Sequence, residues 1–138
     1  MGWTMSALVP ELLVSDIATS RTFYLDVLGF SVMWERPAEK FLYLGREGAE
    51  LMLEQPTHGR HFLAGKLEHP YGRGMNLQIK VSAVDALHDS VIRAGAPIYL
   101  PMEEKWYRTG DHFSGNRQFI VSDPDGYLLR FFEDLGSR

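Results

Sequence analysis

The chain contains no cysteine, which excludes disulfides, thiolate nucleophiles and cysteine-ligated metals, and fits a reducing cytoplasm. It has no basic excess: 14 Lys and Arg stand against 18 Asp and Glu, for a formal charge of −4. That balance disfavours a nucleic-acid partner and weakly favours cationic or neutral ligands. Long apolar runs are missing too. No segment approaches a membrane span, and residues 1–6 carry neither basic residues nor an apolar stretch, so a soluble cytoplasmic protein without membrane contact is expected. Gly72-Arg-Gly74 is too short for a phosphate loop. What is present suffices for one core: 138 residues at 45% hydrophobic content fit a single domain over residues 1–138.

The most legible stretch runs from Phe119 to Glu133. Pro124 presets φ for a turn and Gly126 tolerates positive φ, so Asp123-Pro-Asp-Gly126 reverses the chain between two apolar runs. This reads as a hairpin. Further upstream, Leu8 to Val14 reads as a strand, Ser15-Asp16 as a helix cap, and Phe23, Tyr24, Val27 and Leu28 as a helical face stopped by Gly29. Short strands follow over 30–35, 41–44 and 49–54.

After a polar connector over about 56–74, the pattern starts again. Met75 to Val81 is strand-like, Val84 to Ala94 is helical, and Gly95 stops that helix 66 positions after Gly29. Strands over 97–101 and 105–108 then lead into the hairpin. The chain is therefore read as α+β: two βαβββ modules, at about 7–55 and 75–134, forming curved antiparallel sheets around a cleft. Alternation assigns the faces. Leu8, Leu12, Val14, Leu51, Leu53, Leu77, Ile79, Val81, Leu129 and Phe131 should face the helices. Glu11, Glu50, Met52, Glu54, Asn76, Gln78, Lys80, Leu128, Arg130 and Phe132 should line the other side. That second face is either the solvated side of a sheet or a small-molecule surface with an apolar floor and a few placed polar groups.

The strand, the helix with Phe23-Tyr24 closing at Leu28-Gly29-Phe30, and Asp123-Pro-Asp-Gly-Tyr-Leu-Leu-Arg-Phe-Phe132 resemble the vicinal oxygen chelate superfamily. This superfamily spans glyoxalases, extradiol dioxygenases and bleomycin-resistance proteins. The resemblance implies metal ligands on four strands, at positions held here by Val9, Glu54, Asn76 and Arg130. Only Glu54 is an ordinary ligand, because a guanidinium donates hydrogen bonds and repels a cation. No metal, no cofactor and no catalytic residue are therefore expected. The chain is most similar to the bleomycin-resistance branch, whose members bind the drug without transforming it, as homodimers. The resemblance thus implies a small-molecule ligand, with Glu11, Met52, Glu54, Asn76, Gln78, Trp106, Tyr107, Phe113, Arg130 and Phe132 as ligand-binding residues. Glu11 and Glu54 would supply charge to a flat cation. Trp106, Tyr107 and Phe113 would stack on it if the stretch from Glu103 to Gly115 folds over the cleft; otherwise they are strand or dimer-interface residues. The alternative is a metal-dependent glyoxalase- or dioxygenase-like enzyme with a non-standard site, using Glu54 with Glu11 or a loop histidine. His58, His61 and His69 lie in the connector, His88 on the second helix and His112 in the late loop, and all five read as surface histidines.

Overall fold

Asp16 starts the first helix as its residue type suggests. Its carboxylate accepts from the Ala18 N–H at 3.0 Å and the Thr19 hydroxyl at 3.2 Å, and Gln55 accepts from the Ile17 N–H at 2.9 Å. These bonds cover donors that a helix leaves unmade in its first turn. In the computed structural model, which describes residues 5–57 and 61–138, this helix is α1 (Ile17–Thr22), continued by a π turn over Phe23–Val27. Gly29, at φ 79°, then redirects the chain.

Two units result, residues 1–67 and 68–138. The first holds β1 (Glu11–Leu13), α1, β2 (Ser31–Arg36), β3 (Phe41–Arg46) and β4 (Ala49–Glu54), with sheet order β1-β4-β3-β2. The second holds β5 (Asn76–Lys80), α2 (Val84–Arg93), β6 (Ile98–Thr109), β7 (His112–Ser122) and β8 (Leu128–Ser137), in order β5-β8-β7-β6. Both are βαβββ, so the α+β duplication stands. The sheets are mixed, however, and not antiparallel throughout. β1 runs parallel to β4 and β5 parallel to β8. A helical crossover returns the chain in the direction of the opening strand, and two hairpin reversals restore that direction in the last one.

One face of each sheet forms a core. In the first unit Leu12, Leu42, Leu44, Leu51 and Leu53 are buried, as are Tyr24, Leu28 and Phe30. In the second, Val84, Leu87 and Val91 of α2 are buried along with Phe119, Val121, Leu129 and Phe131. His88 meets the Phe119 ring edge-on at 5.0 Å, so it is a packing residue as much as a surface one. Leu8 departs from expectation: it is 84% exposed, because the strand begins only at Glu11. Among the described residues no helix is long and apolar enough to cross a membrane.

The two strands expected over 97–101 and 105–108 are one. β6 absorbs Pro101 near register shifts between Ile98 and Leu100 and between Leu100 and Glu103, and it is an edge strand, where a missing N–H is tolerated. The stretch from Glu103 to Gly115 is accordingly no free flap but the distal part of the β6–β7 hairpin, paired from Glu103↔Gln118 to Thr109↔His112. At the other end of β7, the Asp123 carboxylate accepts from the N–H groups of Asp125 and Tyr127, each at 2.9 Å. Gly126 sits at φ 97°, and a Cβ there would lie 2.5 Å from Pro70.

Candidate functional site

Residues opposite one another in a register share a face. In the first sheet one row joins Glu11, Met52, Tyr43 and Trp34, and the next joins Leu13, Glu54, Phe41 and Arg36. The face turned away from the leucine core is therefore aromatic at its centre and acidic at the β1–β4 side. A register shift between Val32 and Trp34 brings the indole opposite Tyr43. Trp34 stacks on Tyr43 with centroids 5.6 Å apart and planes 17° apart, and meets Phe41 at 5.2 Å. The Arg36 guanidinium lies 4.0 Å over the Phe41 ring and 4.9 Å from that of Trp34, with Glu39 paired to it at 2.8 Å. A planar cation thus rests on this floor. The Trp34 indole N–H is buried without a partner.

The carboxylates are not equivalent. His61 Nδ1 lies 3.3 Å from the Glu54 carboxylate without a hydrogen bond, while its Nε2 sits 2.9 Å from the Thr57 nitrogen and 3.2 Å from the Thr57 carbonyl oxygen. Glu11 is pushed above its ordinary value, first by burial and then by the Glu54 charge, with Arg36 and His61 opposing. A raised folded-state value means that the native chain holds this proton more tightly than the unfolded chain. Stability from this group is therefore lost as pH rises through the folded value. Glu11→Gln is expected to be more stable than wild type above that value, with the difference vanishing as pH falls through it; thermal melts across pH check this.

Tyr43 is fully buried and donates to Glu50 at 2.8 Å; burial first, then that bond, pushes its hydroxyl up to about 12. It is a neutral donor at physiological pH and no general base. A cavity of about 520 Å³ opens farther along the same sheet, between Gly29, Met33, Gly45, Arg46 and Glu50.

In the second sheet the face turned away from α2 carries Asn76, Gln78, Lys80, Leu128, Arg130 and Phe132, with Gln118 and Ile120 opposite Phe132 and Arg130. Tyr107 joins this face, since the amide nitrogen of Gln118 donates to its hydroxyl at 2.8 Å. Trp106 does not join it. Neighbouring residues of a strand point to opposite faces, and Trp106 packs on Gly115, where a Cβ would lie 2.6 Å from the ring. The Arg138 guanidinium lies over that indole at 3.9 Å. Phe113 shares the parity of Gly115 and stands opposite Arg108 near the hairpin tip. Of the ten expected ligand residues, Glu11, Met52 and Glu54 are thus brought together in the first unit. Asn76, Gln78, Tyr107, Arg130 and Phe132 share one face of the second sheet, with Asn76 and Tyr107 at opposite ends of it, and Trp106 and Phe113 lie on the far face.

Trp34, Arg36, Phe41 and Tyr43 are absent from the expected site residues, whereas His61 is one of the connector histidines offered to Glu54 in the alternative reading, and it is the one that approaches this carboxylate, with its side chain 13% exposed and not a surface one. Alternation along Phe41-Leu-Tyr43 and Trp34-Glu-Arg36 carried the signal for the first four; the approach of His61 to Glu54 across the connector left no local trace. His58 lies outside the described residues. His112 pairs with Asp111 at 3.1 Å on the hairpin tip.

A family model described as the Glyoxalase/Bleomycin resistance protein/Dioxygenase superfamily matches residues 4–131. The chain belongs to this superfamily. A superfamily member from Vibrio splendidus 12B01 is 41% identical over 91% of this chain and 97% of its own, with a TM-score of 0.42. TioX from Micromonospora sp. ML1 is 24% identical over 94% of this chain and all of its own (100%), at TM-score 0.68. Lactoylglutathione lyase from Agrobacterium tumefaciens is 18% identical over 94% of each chain, at 0.57. The last two likenesses concern the fold alone. No curated protein matches the chain.

Metal-dependent members of the superfamily raise the question of an ion here. The donor set does not fit one. Val9 has no donor side chain, Arg130 is a cation, and among the described residues no three His, Cys, Asp or Glu side chains converge.

Proposed function

We propose that this superfamily member binds a flat cationic small molecule of the bleomycin type on the sheet face of its first unit, sequestering it without transforming it. The homodimer implied by the resemblance to bleomycin-resistance proteins is part of this reading. The observation that carries it is the Arg36 guanidinium lying over Phe41 and Trp34, with Glu11 and Glu54 on the same face. A floor that holds one planar cation by its π faces suits another, and the carboxylates supply the opposite charge. The buried Trp34 N–H offers a donor to a carbonyl of the ligand.

Calorimetric titration with metal-free and copper-bound bleomycin tests the reading, alongside a metal assay of the dialysed protein. Saturable binding of one drug per chain is expected, weakened in Glu54→Gln by about 1–3 kcal/mol through loss of a charge-assisted contact. No binding to the folded protein would overturn it. An equimolar metal retained through dialysis would replace it with the metal-dependent enzyme.

A further inference from the structure

Two buried polar atoms of the second unit lack the partners that their chemistry calls for. Gln118 is only 2% exposed, and its amide nitrogen donates to Glu103 and to the Tyr107 hydroxyl, each at 2.8 Å. A carboxylate only accepts, so the bond to Glu103 fixes the amide orientation and turns Oε1 to the other side. There Oε1 is buried with no donor, and Arg130 Nε is buried with no acceptor. The register places Gln118 opposite Phe132 and Arg130 opposite Ile120, which makes the two side chains diagonal neighbours on one face. Among the described residues Arg130 makes no hydrogen bond or ion pair. Buried donors and acceptors are rarely left so in a finished site.

We propose that Arg130 and Gln118 form an anion subsite for a small carboxylate bearing a hydroxyl on the adjacent carbon. The guanidinium donates to the carboxylate and to the hydroxyl oxygen, and the hydroxyl donates to Gln118 Oε1. One group of the ligand thereby satisfies both orphaned atoms. A guanidinium is the side chain best suited to hold a carboxylate, because its planar fork donates two parallel hydrogen bonds. Space for an apolar body lies in the next row of the same face. Leu128 and Ser122 form one wall of a cavity of about 350 Å³ that Tyr71, Met75 and Tyr99 complete. This subsite belongs to the second unit and stands independently of the cation-binding reading of the first.

The probes are mandelate and phenylacetate, which differ only by the hydroxyl, titrated into the full chain while the Arg130 Nε–H resonance is followed by NMR. Mandelate is expected to shift that resonance saturably, with an affinity about tenfold above that of phenylacetate, because the unpaired Gln118 acceptor penalises the analogue without a donor. Gln118→Leu is expected to level the two acids, and Arg130→Gln to remove binding of both, followed there through the backbone amides of β8. Since Gln118→Leu also strips a donor from Glu103, Gln118→Glu serves as the second variant and should repel both anions. Equal affinities for the two acids in wild type, unaltered mandelate binding in Arg130→Gln, or no saturable shift at all would overturn the subsite. Bleomycin titrations of the same variants read the first unit separately.

Discussion

Replacing Asp123 by Ala is expected to lower the unfolding free energy by about 2–6 kcal/mol, since two buried N–H groups each lose their acceptor at roughly 1–3 kcal/mol. The carboxylate is 3% exposed and accepts from Asp125 and Tyr127. The same residue closes the turn through its backbone: its N–H donates to Tyr127 O at 2.9 Å, and its carbonyl accepts from Gly126 at 3.0 Å. Beyond the turn, the Tyr71 N–H donates to Asp125 O at 2.8 Å, so loosening the reversal also loosens the segment that precedes β5. Asp123→Asn keeps one acceptor oxygen and is expected to cost roughly 1 kcal/mol. Urea unfolding separates the cases, with an unchanged denaturant slope confirming that both variants unfold as one cooperative unit. If the Ala and Asn variants lost the same small amount, the two N–H contacts would not be holding the turn.

Phe131→Ala is expected to cost about 3–5 kcal/mol, the usual range for removing a buried aromatic ring. The side chain is fully buried in the face that packs on α2, with its ring 5.8 Å from that of Phe119. A tilted pair of this kind adds about 0.5–1.5 kcal/mol beyond area alone. The two residues share one cavity when truncated, so the double variant with Phe119→Ala should lose less than the sum of the single losses. Additive losses would show that the rings pack independently. His88 lies against Phe119 at 5.0 Å, and its resonances report the loss of the ring beneath it.

Local chemistry made much of the fold legible. Asp123, Pro124 and Gly126 each carry a turn preference of their own, and Asp16 and Gly29 mark helix ends by rules that need no distant partner. Alternation placed Glu11, Glu54, Gln78 and Arg130 on the faces where they stand. What stayed hidden depends on pairing at long range. The parallel direction of β1 beside β4 is set by how many reversals intervene, and no residue of β1 announces it. Bulges hide likewise: the shift at Met33 decides that Trp34 faces with Tyr43, and the shifts around Leu100 let β6 run through Pro101. Trp106 was within reach of simple reasoning. It and Tyr107 are consecutive in a strand, so the two rings could not line one surface. His61 meets Glu54 through a connector whose course no periodicity describes.

The most direct measurement of cation binding is the indole N–H spectrum of the full chain during a titration with metal-free bleomycin. Trp34 carries a buried, unpartnered N–H beside the aromatic floor, whereas Trp106 packs on Gly115 beneath Arg138 in the other unit. The expected result is a saturable shift of the Trp34 resonance at one drug per chain while the Trp106 resonance stays in place. A saturable shift confined to Trp106, or no shift of Trp34 at drug concentrations that saturate the protein, would contradict the assignment of the ligand to the first unit's face.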